Sequence, residues 1–267
     1  MATMPKITSI CKEALGHLKN DWGAAVLCTL AFIWIPCLPI LLDGLTHDIF
    51  KLDFWCPIPP SDVISVELLI IFFATTILLV LPLGFGYQCT FLKYVRKDTA
   101  SPSGNMLSVF EHRYGRWLLA SLLFFSIVFI GPEIVLWGLS NLLMIIEMKY
   151  ETALIVLIVL SVIILISSLI LYYHFAVLPY IVNDNPELSI WKCFKRSSSL
   201  LKGFRWRLFF IDLIFVGPML LLSIVLSILL PYNIYTLCTF ALSIIYLWIT
   251  PWALTVRALF YSHIVKS

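Results

Sequence analysis

Charge is what this chain has least of. Its 267 residues include 18 Lys and Arg and 15 Asp and Glu, so charged side chains make up only 12%. A soluble domain carries about a quarter, and a deficit of this size excludes a globule dissolved in water. Cysteine occurs at 11, 28, 37, 56, 89, 193 and 238, with no Cys-x-x-Cys pair. Five of the seven lie in or beside apolar runs, where the thiol behaves as a small hydrophobe. Neither a disulfide framework nor a zinc site is indicated. Gly-x-Ser-x-Gly, His-Glu-x-x-His and a Gly-rich phosphate loop are all missing, and with them the common signatures of esterases, zinc proteases and nucleotide binders. Ser199 and Lys202 match the Ser-x-x-Lys of some hydrolases, but they stand on an amphipathic segment without a further catalytic partner. An intramembrane aspartyl enzyme needs paired aspartates, and only Asp212 falls clearly within an apolar span. No catalytic residue, metal ligand or cofactor-binding residue is assigned. Enzyme activity is not expected, and no cofactor is.

What the chain does have is apolar length: 61% hydrophobic residues and a mean hydropathy of +0.99. About 20 mostly apolar residues cross a bilayer as a helix. Six stretches are long enough: roughly 22–43, 64–92, 116–146, 152–182, 207–230 and 233–262. Backbone groups in lipid must bond within their own segment, so these runs read as helices. An all-α membrane protein with six transmembrane helices is expected, as a single polytopic domain over 1–267. The last two helices are joined by a tight hairpin at "PYN". The first span is too long for a signal peptide and carries no small-residue cleavage site, so it reads as a retained anchor.

The few charges are unevenly placed. Lys6, Lys12 and Lys19 precede the first span, and Lys93, Arg96, Lys97, Arg113 and Arg116 precede the third. Lys192, Lys195, Arg196, Lys202, Arg205 and Arg207 precede the fifth, and Arg257 and Lys266 lie at the end of the last. Sixteen of the 18 cations thus fall on one side, leaving Lys51 and Lys149 on the other. The positive-inside rule then puts both termini in the cytoplasm and the segment 44–63 outside.

Within the third basic loop, "NDNPELSIWKCFKRSSSLLKG" carries helix-start chemistry, with Asn185 as N-cap and Pro186 in the first turn. Leu188, Trp191, Phe194 and Leu201 recur at roughly helical spacing, and Gly203 is placed to end the helix. A basic amphipathic helix of this kind is expected in the membrane interface with its apolar side down. Trp206 marks the headgroup level where the chain turns inward. Topology already explains the positive charge, so nucleic-acid binding is not expected.

The same order appears twice earlier. Amphipathic stretches lead into Trp22 and, ending at Gly115, into Trp117. Spans holding Pro36 and Pro132 follow, as one holding Pro218 follows Trp206. Trp-to-Pro separations are 14, 15 and 12, and each second span has a proline near its cytoplasmic end: Pro82, Pro179 and Pro251. Three units, 1–92, 93–182 and 183–267, are expected, each an interfacial helix followed by a helical hairpin.

These features carry a resemblance. "PYIVNDNPELSIWKCFKRSSSLLKGFRWRLFFIDLIFVG" and the late "TPWALTVRALFYSH", with the earlier "LKNDWGAAVL" and "LGFGYQCTFLKYVR", resemble the domain-of-unknown-function 975 family of bacterial integral membrane proteins. That family shows a similar Asp-Asn-Pro, a Lys-Gly-x-x-Trp-Arg-Leu-Phe run, an Asp just beyond it and a closing Thr-x-Arg-Ala-x-Phe-Tyr. Pro218-Met219 departs from the aromatic residues more usual there, and Val256 interrupts the usual Thr-Arg step. The resemblance implies a bacterial inner-membrane location and no particular activity.

Polar groups inside spans are costly, which makes each a candidate. Asp212 lies five residues beyond Arg207 on a helix running outward, and Arg257 sits at a similar depth on the next helix running back. An ion pair is expected there, about 8 Å inside the cytoplasmic boundary, with Gln88 at the equivalent position of the first unit. His174, between Tyr173 and Phe175, reads as a hydrogen-bonded structural histidine. Glu133 falls about 25 Å beyond Trp117, near the outer interface. Lys192, Lys195, Arg196, Lys202, Arg205 and Arg207, with Trp22, Trp117 and Trp206, are candidate lipid contacts. The composite reading is a non-catalytic accessory or interaction protein. Its expected partners are anionic lipid headgroups and a membrane or cytoplasmic protein. The other reading is a transporter or permease using proline-kinked helices for a small or hydrophobic substrate.

Overall fold

The computed structural model describes residues 5–34, 73–98, 106–111, 113–145, 150–229 and 232–266. Every regular element among them is a helix. In chain order they are α1 (Ile7–Leu18), α2 (Trp22–Trp34), α3 (a π-turn Thr76–Val80 leading into Leu81–Val95) and α4 (Ser108–Glu111). Then come α5 (Tyr114–Phe125, a π-turn Ser126–Ile130, then Gly131–Ile145), α6 (Tyr150–Phe175) and α7 (Leu178–Asp184). The last three are α8 (Ile190–Leu200), α9 (Arg205–Leu229) and α10 (Tyr232–Lys266). Among the described residues, five stretches are long and apolar enough to cross a membrane: Phe73–Val95, Tyr114–Leu142, Ile155–Asp184, Arg205–Leu229 and Leu242–Lys266. Of the expected first span, the described part is α2, whose apolar portion Trp22–Ile33 is shorter. Its remainder, Pro36, the segment 44–63 and Pro231 of the hairpin lie outside the described residues.

Proline shapes two of these helices in the same way. Pro82 and Pro132 each stand two residues after a π-turn. Proline brings no N–H and its ring crowds the carbonyl four residues back, so the wider turn relieves the clash. For Pro82 that carbonyl belongs to Leu78, and the Tyr114 hydroxyl from the start of α5 donates to it. A backbone acceptor stranded in an apolar span is thereby satisfied by a neighbouring helix.

Burial is concentrated at the end of the bundle that carries the basic loops. Ile10, Phe91, Ile181, Ile211 and Phe260, from five different helices, and Leu201 at the C-cap of α8 are all nearly inaccessible there. α10 organises this core, packing against α9, α3, α1 and α2. Toward the other end Ile134, Trp137, Ile155, Leu221 and Ile228 are exposed, the outward-facing surface of helices whose solvent is hydrocarbon.

Three local expectations change. Asn185 is not the N-cap of the basic helix but the C-cap of α7, its side-chain amide donating to the Ile181 carbonyl at 3.0 Å. The N-cap of α8 is Ser189. Asparagine suits either end of a helix, and the continuation of α7 to Asp184 decides which. In the second unit the break before α5 comes at Arg113, in the left-handed region at φ 58°, while Gly115 is already helical. The apolar face of α8 is divided: Cys193, Phe194 and Leu201 are buried against protein, with Phe194 edge-on to Phe175 at 5.0 Å, whereas Trp191 stays 60% exposed. Gly203, at φ 90°, lies in the turn that separates α8 from α9.

Candidate functional site

The structure brings Asp212 and Arg257 together. Both lie on helices of the core, α9 and α10, which pack against each other. The contact is bidentate: Arg257 Nε donates to Oδ1 and Nη2 to Oδ2, each at 2.6 Å. The side chains are only 18% and 8% exposed. Bidentate pairing of this kind is the strong form of an ionic hydrogen bond. Tyr173 of α6 donates to Asp212 Oδ2 at 3.0 Å. The Tyr172 ring lies 5.7 Å from the guanidinium carbon, within cation–π range. Three helices therefore converge on one ion pair.

One turn further along α10, Tyr261 donates to Asp184 Oδ2 at 2.9 Å. Its ring packs on Tyr180 at 5.1 Å between centroids. The Tyr180 hydroxyl is buried with no hydrogen-bond partner among the described residues. Asp184 also accepts two bonds from Arg96 at 2.7 and 2.8 Å. These bonds hold the Arg96 guanidinium in its charged form more firmly than usual.

Three more arginines close on the same turn. Arg113 and Arg116 both donate to the Pro186 carbonyl at 2.7 Å, and Arg116 also reaches the Asn185 carbonyl at 2.7 Å. Arg196 donates to Asn185 Oδ1 at 2.8 Å. The Asp-Asn-Pro stretch is thus a hub that four arginines from three parts of the chain hold in place. Beneath it the Cys193 thiol is pushed up by burial, with the Arg116 charge opposing. Counting Lys and Arg for topology missed this role of Arg96, Arg113 and Arg116. The available signal was the acid–amide–proline motif itself, whose carbonyls a proline turn leaves without helical partners.

The remaining candidates stand apart. No hydrogen bond joins Gln88 to the Asp212–Arg257 pair. His174 bonds its own backbone, Nδ1 to the Ile170 carbonyl at 2.7 Å. Glu133 is exposed in the helical turn that follows Gly131 and joins none of the ion pairs among the described residues. Trp22 lies over Trp248 at 6.4 Å, Trp117 packs against the core, and Trp206 is 73% exposed. Arg196 is committed to Asn185, and Arg205 donates to the Ser198 carbonyl and hydroxyl at 3.2 and 3.3 Å.

Replacing Asp184 tests the hub. Asp184→Ala removes the acceptor of both Arg96 and Tyr261. The Arg96 side chain is 33% exposed, so water screens part of that loss, and about 1–3 kcal/mol of stability is expected to go. Asp184→Asn keeps an acceptor for Tyr261 and is expected to lose less. Chemical denaturation in detergent, followed by tryptophan fluorescence, measures both. Equal stability of wild type and alanine variant would remove the hub.

The helices and this buried polar node define an all-α integral membrane protein. The chain belongs to the family described as proteins of unknown function (DUF975), which matches residues 4–267. No curated protein and no solved structure matches the chain.

Proposed function

We propose that the protein is a non-catalytic accessory protein of the bacterial inner membrane, with both termini in the cytoplasm, that gathers anionic lipid headgroups on its basic face. One observation carries the reading. Lys192, Lys195, Lys202 and Arg207 are exposed and form no ion pair among the described residues, whereas four arginines nearby are engaged in the hub. Beside these free cations Trp191 and Trp206 are 60% and 73% exposed. Trp206 heads an exposed stripe on α9 continued by Phe210, Leu213 and Ile214. Such a stripe faces lipid, and a tryptophan at its end sits among headgroups. A basic residue beside an anionic membrane contributes about 1 kcal/mol.

Support for orientation is the placement of 16 of 18 cations on one side. Support for three units is that the proline-marked ends of the second spans, in α3, α7 and α10, meet in one core. A transporter would draw on the π-turns beside Pro82 and Pro132. At the level of Asp212, however, the described ionic groups bond one another, which favours the accessory reading. A cytoplasmic protein partner on the same basic face is compatible with it, and nucleic acid is not among the proposed partners.

The test is a variant with Lys192, Lys195, Lys202 and Arg207 all changed to Gln. Native mass spectrometry from mixed micelles should show fewer retained phosphatidylglycerol molecules than for wild type, with phosphatidylcholine retention unchanged. Equal phosphatidylglycerol retention by the two proteins would refute the reading.

A further inference from the structure

On a face dominated by cations, one concavity is acidic. A cavity of about 660 Å³ opens between α1 and the end of α3. Glu13, Gly16, His17, Asn20 and Asp21 form one wall, and Tyr94 and Lys97 the other. Two carboxylates therefore face one lysine. The Tyr94 hydroxyl lies 2.6 Å from the His17 carbonyl oxygen and 2.7 Å from Asp21 Oδ2, which fixes the Asp21 carboxylate; its other oxygen has no hydrogen bond among the described residues. Glu13 Oε2 is 3.4 Å from His263 Nε2. Both α1 and α3 end here, and helix C-termini add partial negative charge. Lys97 occupies the left-handed region at φ 62°, a position after a helix where glycine is the usual residue. Asp21 immediately precedes Trp22, the first residue of the apolar helix α2, so the cavity opens beside the start of an apolar run.

We propose that this cavity binds an aminoalkyl phosphate, its ammonium group held by Asp21 and Glu13 and its phosphate by Lys97. The chemistry is available as a free compound or as the headgroup of a zwitterionic lipid. A carboxylate accepts charge-assisted hydrogen bonds from an ammonium group, roughly twice as strong as neutral ones. The lysine beside it discriminates against a simple amine. The site is separate from the free lysines of α8, and its occupancy does not depend on them.

The experiment titrates the full-length protein in neutral detergent with phosphoethanolamine, ethanolamine or inorganic phosphate, reading the thermal midpoint. A parallel arm uses nanodiscs of phosphatidylethanolamine or phosphatidylglycerol. Phosphoethanolamine is expected to raise the midpoint more than either half-molecule. Asp21→Asn retains an acceptor for Tyr94, so the fold is kept, and is expected to weaken apparent affinity about tenfold. Gly16→Leu is the second variant. A Cβ at Gly16 meets no atom within 4 Å, so the substitution starts into open space on the cavity wall. It should leave the unliganded protein as stable as wild type or more so, and abolish the ligand-induced shift. A shift with the free compound, or with the ethanolamine lipid alone, supports the site and tells which source fills it. Equal shifts with inorganic phosphate, no shift in either arm, or wild-type shifts in both variants would each overturn it.

Discussion

Asp212→Asn and Arg257→Gln are each expected to cost about 3–5 kcal/mol of stability in detergent, the usual penalty for breaking a buried ion pair. The asparagine variant should be the worse of the two. It strands a guanidinium that cannot give up its proton, whereas a stranded carboxyl group can take one from water and become neutral. The double variant removes both charges together and should be no worse than the worse single variant. That pattern gives a coupling energy of several kcal/mol in a double-mutant cycle. Simple addition of the two losses would show that the pair contributes nothing as a pair. A strong coupling supports a clamp that fixes the register of α9 against α10, since both oxygens and both donors are engaged in one geometry. Tyr173→Phe removes one further bond to Asp212, and a smaller loss of about 1 kcal/mol is expected from it.

Gly86→Ala is the other substitution with a large expected effect. A Cβ at Gly86 would collide with Val109 Cγ2 and fall 2.8 Å from the Met106 carbonyl oxygen. The valine methyl can give way, but the carbonyl is backbone and moves only with its segment. Overpacking of this kind costs about 1–3 kcal/mol, and Gly86→Leu should cost more. Val109→Ala in the same chain should restore only part of the loss, because the Met106 carbonyl remains. Thermal unfolding of the three variants measures this; a Gly86→Ala protein as stable as wild type would mean that α3 does not approach the α4 segment so closely.

Much of this architecture is legible along the chain because lipid imposes one rule on every span. Where backbone groups have no water, an apolar run of about 20 residues can only be a helix. Hydropathy therefore marks the helices of α3, α5, α6, α9 and α10 without knowledge of their neighbours. Depth is legible for a similar reason. A fixed rise of 1.5 Å per residue converts distance from the last basic residue into a level in the membrane, and that puts Asp212 and Arg257 at one height.

Other features had no local signature. The periodicity of α8 marks an apolar face but not what covers it, and Phe194 turned to protein because α5, α6 and α7 end beneath it. Asn185 followed by Pro186 carries the chemistry of a helix start and of a helix stop alike, so the choice depended on α7 arriving from the other side. Arg96 and Arg116 read from the sequence as topological charge. Their acceptors lie 88 and 69 to 70 residues away, beyond the reach of any local pattern.

The sequence by itself determined the all-helical class and the membrane as solvent, since each follows from composition and spacing summed along the chain. Only the tertiary structure decided which arginines hold the Asp184–Asn185–Pro186 turn, which lysines stay free and where an acidic cavity opens. Those outcomes depend on side chains from distant helices meeting at distances of 2.6 to 2.9 Å, and such contacts are properties of packing, not of sequence order.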